Sequence, residues 1–219
     1  VVAFVATENG PHPVNVRVDA VGADTVTLRL QEPDYLDGTH ATETVNYAVV
    51  EAGSWLLADG RRIEAGTVET DRLSPQGFED VDFAAPFADA PAVFSQVQSP
   101  TDASFVTTRK NDVDGTGFSV TMQEEEANND GSRSIETIGW VAIEEGVGDF
   151  GDLVLGAGSE AAVDHTGSSI SLPGALSSGA AGIAQLASVA GSDPAWARGE
   201  VSSSGSLSVS VEEDQSANG

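Results

Sequence analysis

Three arginines, Arg17, Arg109 and Arg198, fall 92 and 89 residues apart, and other anchors keep the same spacing. The apolar strand ends Leu30, Met122 and Val211 repeat it, followed by Gln31-Glu32, Gln123-Glu124 and Glu212-Glu213. Glu43-Thr44 and Glu136-Thr137 stand 93 apart, one residue having entered the loop between. Fixed spacing over several anchors marks an internal repeat, and a period of about 90 residues is longer than a solenoid unit, so each repeat should be a small domain. The expected boundaries are 1–78, 79–168 and 169–219. The first repeat lacks its opening strand and the third stops before its closing strand, so the chain reads as a piece of a longer array or as one completed by its neighbours. On this reading the third repeat is completed by a neighbour or poorly ordered.

The periodic segments alternate every second residue. Phe118, Val120 and Met122 point one way and Ser119, Thr121 and Gln123 the other; Ile138, Trp140 and Ala142 share a face, as do Val26, Leu28 and Leu30. Short alternating runs separated by Gly, Asn, Asp and Pro predict antiparallel strands, and no stretch carries a sustained helical stripe. The expected fold is therefore all-β: tandem antiparallel β-sandwich repeats, each with one buried and one wet face. Gly179 to Ala190 is Ala-rich, but its alignment with residues 90–94 predicts a strand. Asp59-Gly60 predicts a hairpin turn, and Gly156 to Ser159 its counterpart in the second repeat. Trp140 and Tyr47 occupy one repeat position and are both expected in a core.

Charge narrows the function classes. Asp and Glu number 35 against 9 Lys and Arg, a net charge of −26, and Lys110 is the sole lysine. That field repels phosphate backbones and anionic lipid, so nucleic acid is not expected as a partner, and no apolar run is long enough for membrane insertion. Acids spread along the whole chain fit a salt-adapted or calcium-rich extracellular setting. There is no cysteine, hence no disulfide framework and no thiolate chemistry.

The second repeat carries a run V-x-F-x-x-x-F-x-x-x-P-x-V from Val81 to Val93, then an Arg-bearing strand, Gly117-Phe118-x-Val120 and a closing Trp140-x-Ala142-Ile143. This pattern resembles the H-type lectin domain, and extends more weakly to the other two repeats. The resemblance implies a six-stranded antiparallel sandwich, binding of N-acetylgalactosamine-like sugars, and trimers or hexamers. The triple glutamate Glu124 to Glu126 departs from that pattern, and no lectin binding residue transfers by motif.

Candidate sites follow from residue type. A guanidinium at Arg17, Arg109 or Arg198 could grip vicinal hydroxyls, or could tie two strands through the repeated glutamates Glu32, Glu124 and Glu213. Asn15, Thr107 and Trp196 precede the arginines on the same strand face, and Trp196 alone offers a ring on which a sugar could stack. Asp112, Asp114, Glu124, Glu126 and Asp130, with Asp34 and Asp37 in the first repeat, are the hard oxygen donors that Ca2+ would take as a cofactor. His12, His40 and His165 lie in turns without a paired nucleophile, and His40 with Glu43 has no second histidine beside it. No catalytic constellation emerges. The expected function is a non-enzymatic, extracellular or cell-surface array for adhesion and spacing, whose partners are glycans or copies of itself. The alternative is a filament subunit assembled by strand exchange.

Overall fold

The computed structural model describes residues 1–171, 180–201, 206–214 and 216. It is all-β, with strands joined only antiparallel and no α-helix among the described residues. The first unit holds β1 (Val2–Val5), β2 (Asn15–Val21), β3 (Val26–Gln31) and β4 (Val45–Ala48). Next come β5 (Gly53–Leu56), β6 (Arg62–Thr70), β7 (Glu79–Asp82), β8 (Ala92–Val97), β9 (Val106–Asn111), β10 (Gly117–Glu124) and β11 (Glu136–Ile143). The last are β12 (Gly146–Phe150), β13 (Leu153–Ala157), β14 (Ser168–Ser171), β15 (Ala195–Val201) and β16 (Ser206–Glu213).

The repeat holds at the level of register around the arginines, the first hairpin alone carrying a bulge between Val18 and Ala20. Asn15 faces Gln31, Thr107 faces Gln123 and Trp196 faces Glu212 in the three arginine-bearing hairpins. Phe118 faces Val81 in the second unit as Leu207 faces Ile170 in the third. Likewise β1 meets β4 as β8 meets β11, Phe4 opposite Asn46 and Gln96 opposite Gly139.

The second unit is a sandwich of a four-stranded sheet, β5-β6-β11-β8, on a three-stranded one, β7-β10-β9. Its core lies between them. Phe118, Val120 and Met122 of β10 meet Ile138, Trp140 and Ala142 of β11, with Val81, Phe83, Phe87 and Val93 from the patterned run. Trp140 stands 5.6 Å from Phe118 and 6.0 Å from Phe83, centroid to centroid.

Hydrogen bonding moves the unit boundaries. The hairpin β5–β6 lies before residue 78, yet β6 pairs along its whole length with β11. The second sandwich thus takes in the β5–β6 hairpin and closes with β11, so its sheet crosses the expected break at 78. A chain-order repeat fixes the period but not its phase.

Other expectations shift for identifiable reasons. Both faces of β10 and of β11 are covered, not one: on the outer face of β11, Val141 and Ile143 pack with Ile63 and Ala65 of the same sheet and Leu57 of its hairpin turn, and Val2 of the first unit and Ile183 close over them. Trp140 is 6% exposed but Tyr47 is 62% exposed. Strand β4 has only β1 beside it among the described residues, whereas β11 is flanked on both sides. Residues 180–190 form no strand, since no described strand offers them a ladder; they lie along β8, where the Ser95 N–H donates to Gln185 Oε1 at 2.8 Å. Asp59-Gly60 makes the predicted turn, with Gly60 at φ 89°. Its counterpart sits at Gly151 (φ 64°), because Gly156 and Ala157 belong to β13.

Candidate functional site

The three repeated arginines are buried, at 1%, 3% and 4% exposure for Arg17, Arg109 and Arg198. Each reaches into a different unit. Arg17 Nη2 donates to the carbonyls of Ser99 (2.7 Å) and Asp102 (3.1 Å) and to Glu136 (3.0 Å) in the second unit. Arg109 Nη1 donates to the Asp193 carbonyl at 3.3 Å in the third. Arg198 Nη1 donates to the Val14 carbonyl at 3.3 Å in the first. First to second, second to third, third to first: the chain closes on itself as a pseudo-threefold ring.

The neighbouring glutamines repeat the pattern. Gln31 Nε2 donates to the Ala103 carbonyl and Gln123 Nε2 to the Ser192 carbonyl, at 2.9 and 3.1 Å. In the third unit Glu212 replaces glutamine and accepts from Trp196 Nε1 at 2.6 Å. Burial raises the Glu212 pKa, with Arg198 and the Trp196 bond pulling the other way.

Equivalent residues of all three units meet at the centre. Phe4, Gln96 and Gln185, with Asn15, Thr107 and Trp196, line a cavity of about 30 Å³. That is the scale of a water molecule, far too small for a sugar ring. Trp196 is 4% exposed and packs on Phe105 of the second unit, centroids 5.2 Å apart. The structure thus brings the four expected glycan residues to the joints between units. None of the three guanidinium groups faces solvent, and the indole is covered. Arg–Glu ties do form: Arg17 pairs with Glu136 of the next unit at 3.0 Å, and Arg198 with Glu212 across its own hairpin at 3.7 Å, neither using the repeated glutamates expected.

Glu136 anchors the first joint. It accepts from the Ser99 hydroxyl, the N–H groups of Thr101 and Asp102, and Arg17 and Arg133. Burial alone would raise its pKa; the bonds from Ser99, Asp102 and Arg17 hold it below the ordinary value. Lys110 is wholly buried at another joint, that of the second and third units: Nζ lies 3.1 Å from Gln185 Oε1 and 3.4 Å from Ser95 Oγ. Burial, then Arg109, push its pKa down to about 7.

The residues expected to hold calcium are separated. Asp114 Oδ1 accepts from the Thr116 N–H and hydroxyl and the Gly117 N–H, which lowers its pKa. Asp130 Oδ1 accepts from Ser132, and Glu124 pairs with Arg133 at 3.3 Å. The Glu126 N–H donates to Asp214, and Asp112 takes a bond from Asn111 at φ 50°. Among the described residues, the one group of three His or acidic side chains with mutually close donor atoms is His12, Glu32 and Asp37, all within 4.8 Å. All three were visible singly in the sequence, but nothing in their spacing joined them.

A larger open groove, about 530 Å³, runs between the second and third units, lined by Asp89, Pro91, Val93, Val113, Glu145 and Ser159. Ser159 Oγ donates to Glu145 Oε1 at 2.7 Å on its wall.

No family model matches this chain, and no solved structure matches it. Among curated proteins, a segment of the halomucin of Haloquadratum walsbyi is 28% identical over 203 residues, covering 91% of this chain and 2% of that protein. The chain therefore spans a small fraction of the relative it matches, and its likeness is to one stretch of a very long protein from a halophile.

Proposed function

We propose that this chain is a non-enzymatic module of an extracellular or cell-surface protein, serving spacing and adhesion in a salt-rich setting. The observation that carries this reading is the closed ring. Three β-structured units are joined by buried guanidinium contacts into one body, while most of the acids stay on the outside. The likeness to a segment of halomucin supports membership in a longer chain, where such bodies would follow one another. The burial of Val81, Phe83, Phe87 and Val93 in one core is what an H-type-lectin-like unit needs. Weak glycan contact, multiplied by repetition, falls to the open groove around Glu145 and Ser159. To test it, the protein is coupled in many copies to beads and passed over galactose and N-acetylgalactosamine matrices at high salt. Retention that falls with Glu145→Ala is expected; no retention of wild type even in this multivalent form would contradict the glycan part.

One observation favours the strand-exchange alternative. β11 pairs with β6 in a complete register, but their counterparts β4 and β13 each have one free side among the described residues. The two open edges match in type, and Leu153 and Tyr47 beside them are exposed. Main-chain pairing of β13 with the β4 of the next unit would continue the array. Light scattering at rising concentration separates the readings: growing linear species support strand pairing, a constant monomer contradicts it.

A further inference from the structure

We infer that His12, Glu32 and Asp37 form a site for a first-row divalent metal ion, independent of any adhesive role. Glu32 provides the leading observation. Its side chain is 1% exposed, and both carboxylate oxygens are buried without a hydrogen-bond donor. A buried carboxylate without a hydrogen-bond donor, facing only a histidine that is charged when protonated, is costly, so the fold has reason to supply a cation there.

The repeat shows what that cation replaces. Glu124 is the counterpart of Glu32, and the Arg133 guanidinium bridges it to Glu136, at 3.3 Å on each side. In the first unit Glu43 stands for Glu136 and His40 for Arg133. The shorter imidazole stays with Glu43, at 3.7 Å, and makes no bond to Glu32. The positive charge that the second unit builds in is missing beside Glu32. In its place His12 presents Nδ1 at 3.4 Å from Glu32 Oε1, and Asp37 closes the group. An edge of about 3.4 Å is what two ligands of a tetrahedral ion span when each bond is about 2.1 Å.

The ligands are held for the purpose. Pro11 and Pro13 bracket His12 and restrict its backbone. The His40 ring braces the same loop: Nε2 lies 3.1 Å from the His12 carbonyl, and a Cβ at Gly10 would meet the ring at 2.8 Å. The Thr39 N–H fixes Asp37 through Oδ1 at 2.9 Å, leaving the other oxygen for a ligand. His12 is 44% exposed, which gives an ion a path from solvent. One imidazole nitrogen with two carboxylates suits Zn2+ or a neighbouring transition ion, whereas Ca2+ takes oxygen alone.

The test is calorimetric titration of chelator-treated full chain with Zn2+, repeated with Ca2+, followed by Co2+ absorbance as a nitrogen-ligand readout. Wild type should bind one Zn2+ per chain with a Co2+ spectrum typical of low coordination. Glu32→Gln and His12→Ala should each weaken binding at least tenfold, while Glu125→Gln, another buried carboxylate, should leave it unchanged. Glu32→Gln without metal should melt no lower than wild type, since it removes an unpaired buried charge, so lost binding would not be lost folding. Absence of saturable Zn2+ binding, equal binding by the variants, or Ca2+ binding that survives His12→Ala would overturn the assignment.

Discussion

The first and second units place the same strands in the same register, yet they bury them differently. Trp140 is a core residue under two aromatic rings, while Tyr47, at the same repeat position, looks into solvent. The pairing β8·β11 and the pairing β1·β4 match residue for residue. Register is thus set locally by alternation and hairpin geometry, whereas burial is set by what lies on the far side of the strand. The same contrast runs through charge. Glu136 is enclosed by five donors, and Glu32, though as deeply buried, has only His12 beside it.

The largest expected difference is between the two aromatics. Trp140→Ala should cost about 3–5 kcal/mol in denaturant unfolding, because it empties the middle of a closed core. Tyr47→Ala should stay within about 0.5 kcal/mol, as exposed substitutions do. Equal costs would mean that the first unit has a core of the same kind as the second.

Next comes Glu136→Ala, which strands Arg17 and Arg133 in the joint. A loss of about 3 kcal/mol is expected, against less than about 1 kcal/mol for Glu79→Ala, whose partner Arg72 is surface-exposed. Urea unfolding of both variants at one salt concentration decides it.

Lys110 gives a pH-dependent contrast between buried and surface charge. Its folded pKa is near 7 and its ordinary value 10.5. Between those values the unfolded chain holds a proton that the folded chain does not, so stability rises with pH through this window and levels off below it. The slope is at most about 1.4 kcal/mol per pH unit. Lys110→Met should flatten the rise in urea midpoint between pH 7.5 and 9.5; an unchanged slope would mean the amine is not buried in solution.

The smallest effect separates two hairpins of one design. Gly60→Ala, at φ 89° in the β5–β6 turn, should cost about 1 kcal/mol of global stability. Gly151→Ala, at φ 64°, is similarly strained, but β12–β13 pairs with no further described strand. Its cost should appear as faster amide exchange in that hairpin and leave the urea midpoint in place.

Much of the fold was legible because repeat spacing and period-two alternation act locally. The strands around Phe118 to Met122 and Ile138 to Ala142, and the turn at Asp59-Gly60, follow from them. What sequence could not give was the identity of the copy that supplies a partner. Spacing makes Arg17, Arg109 and Arg198 equivalent, but only the closed ring shows each acting on another unit. The phase of the repeat was hidden likewise, since β6 pairs forward with β11 across four intervening strands. The group His12, Glu32 and Asp37 went unread because three turns, not a periodic element, bring it together.

The closed ring is tested most directly by small-angle X-ray scattering on the monomeric chain at high salt. A single compact body of 219 residues should give a radius of gyration of about 17 Å. Three sandwiches strung end to end would give a clearly larger radius and a long tail in the distance distribution, and that result would contradict closure.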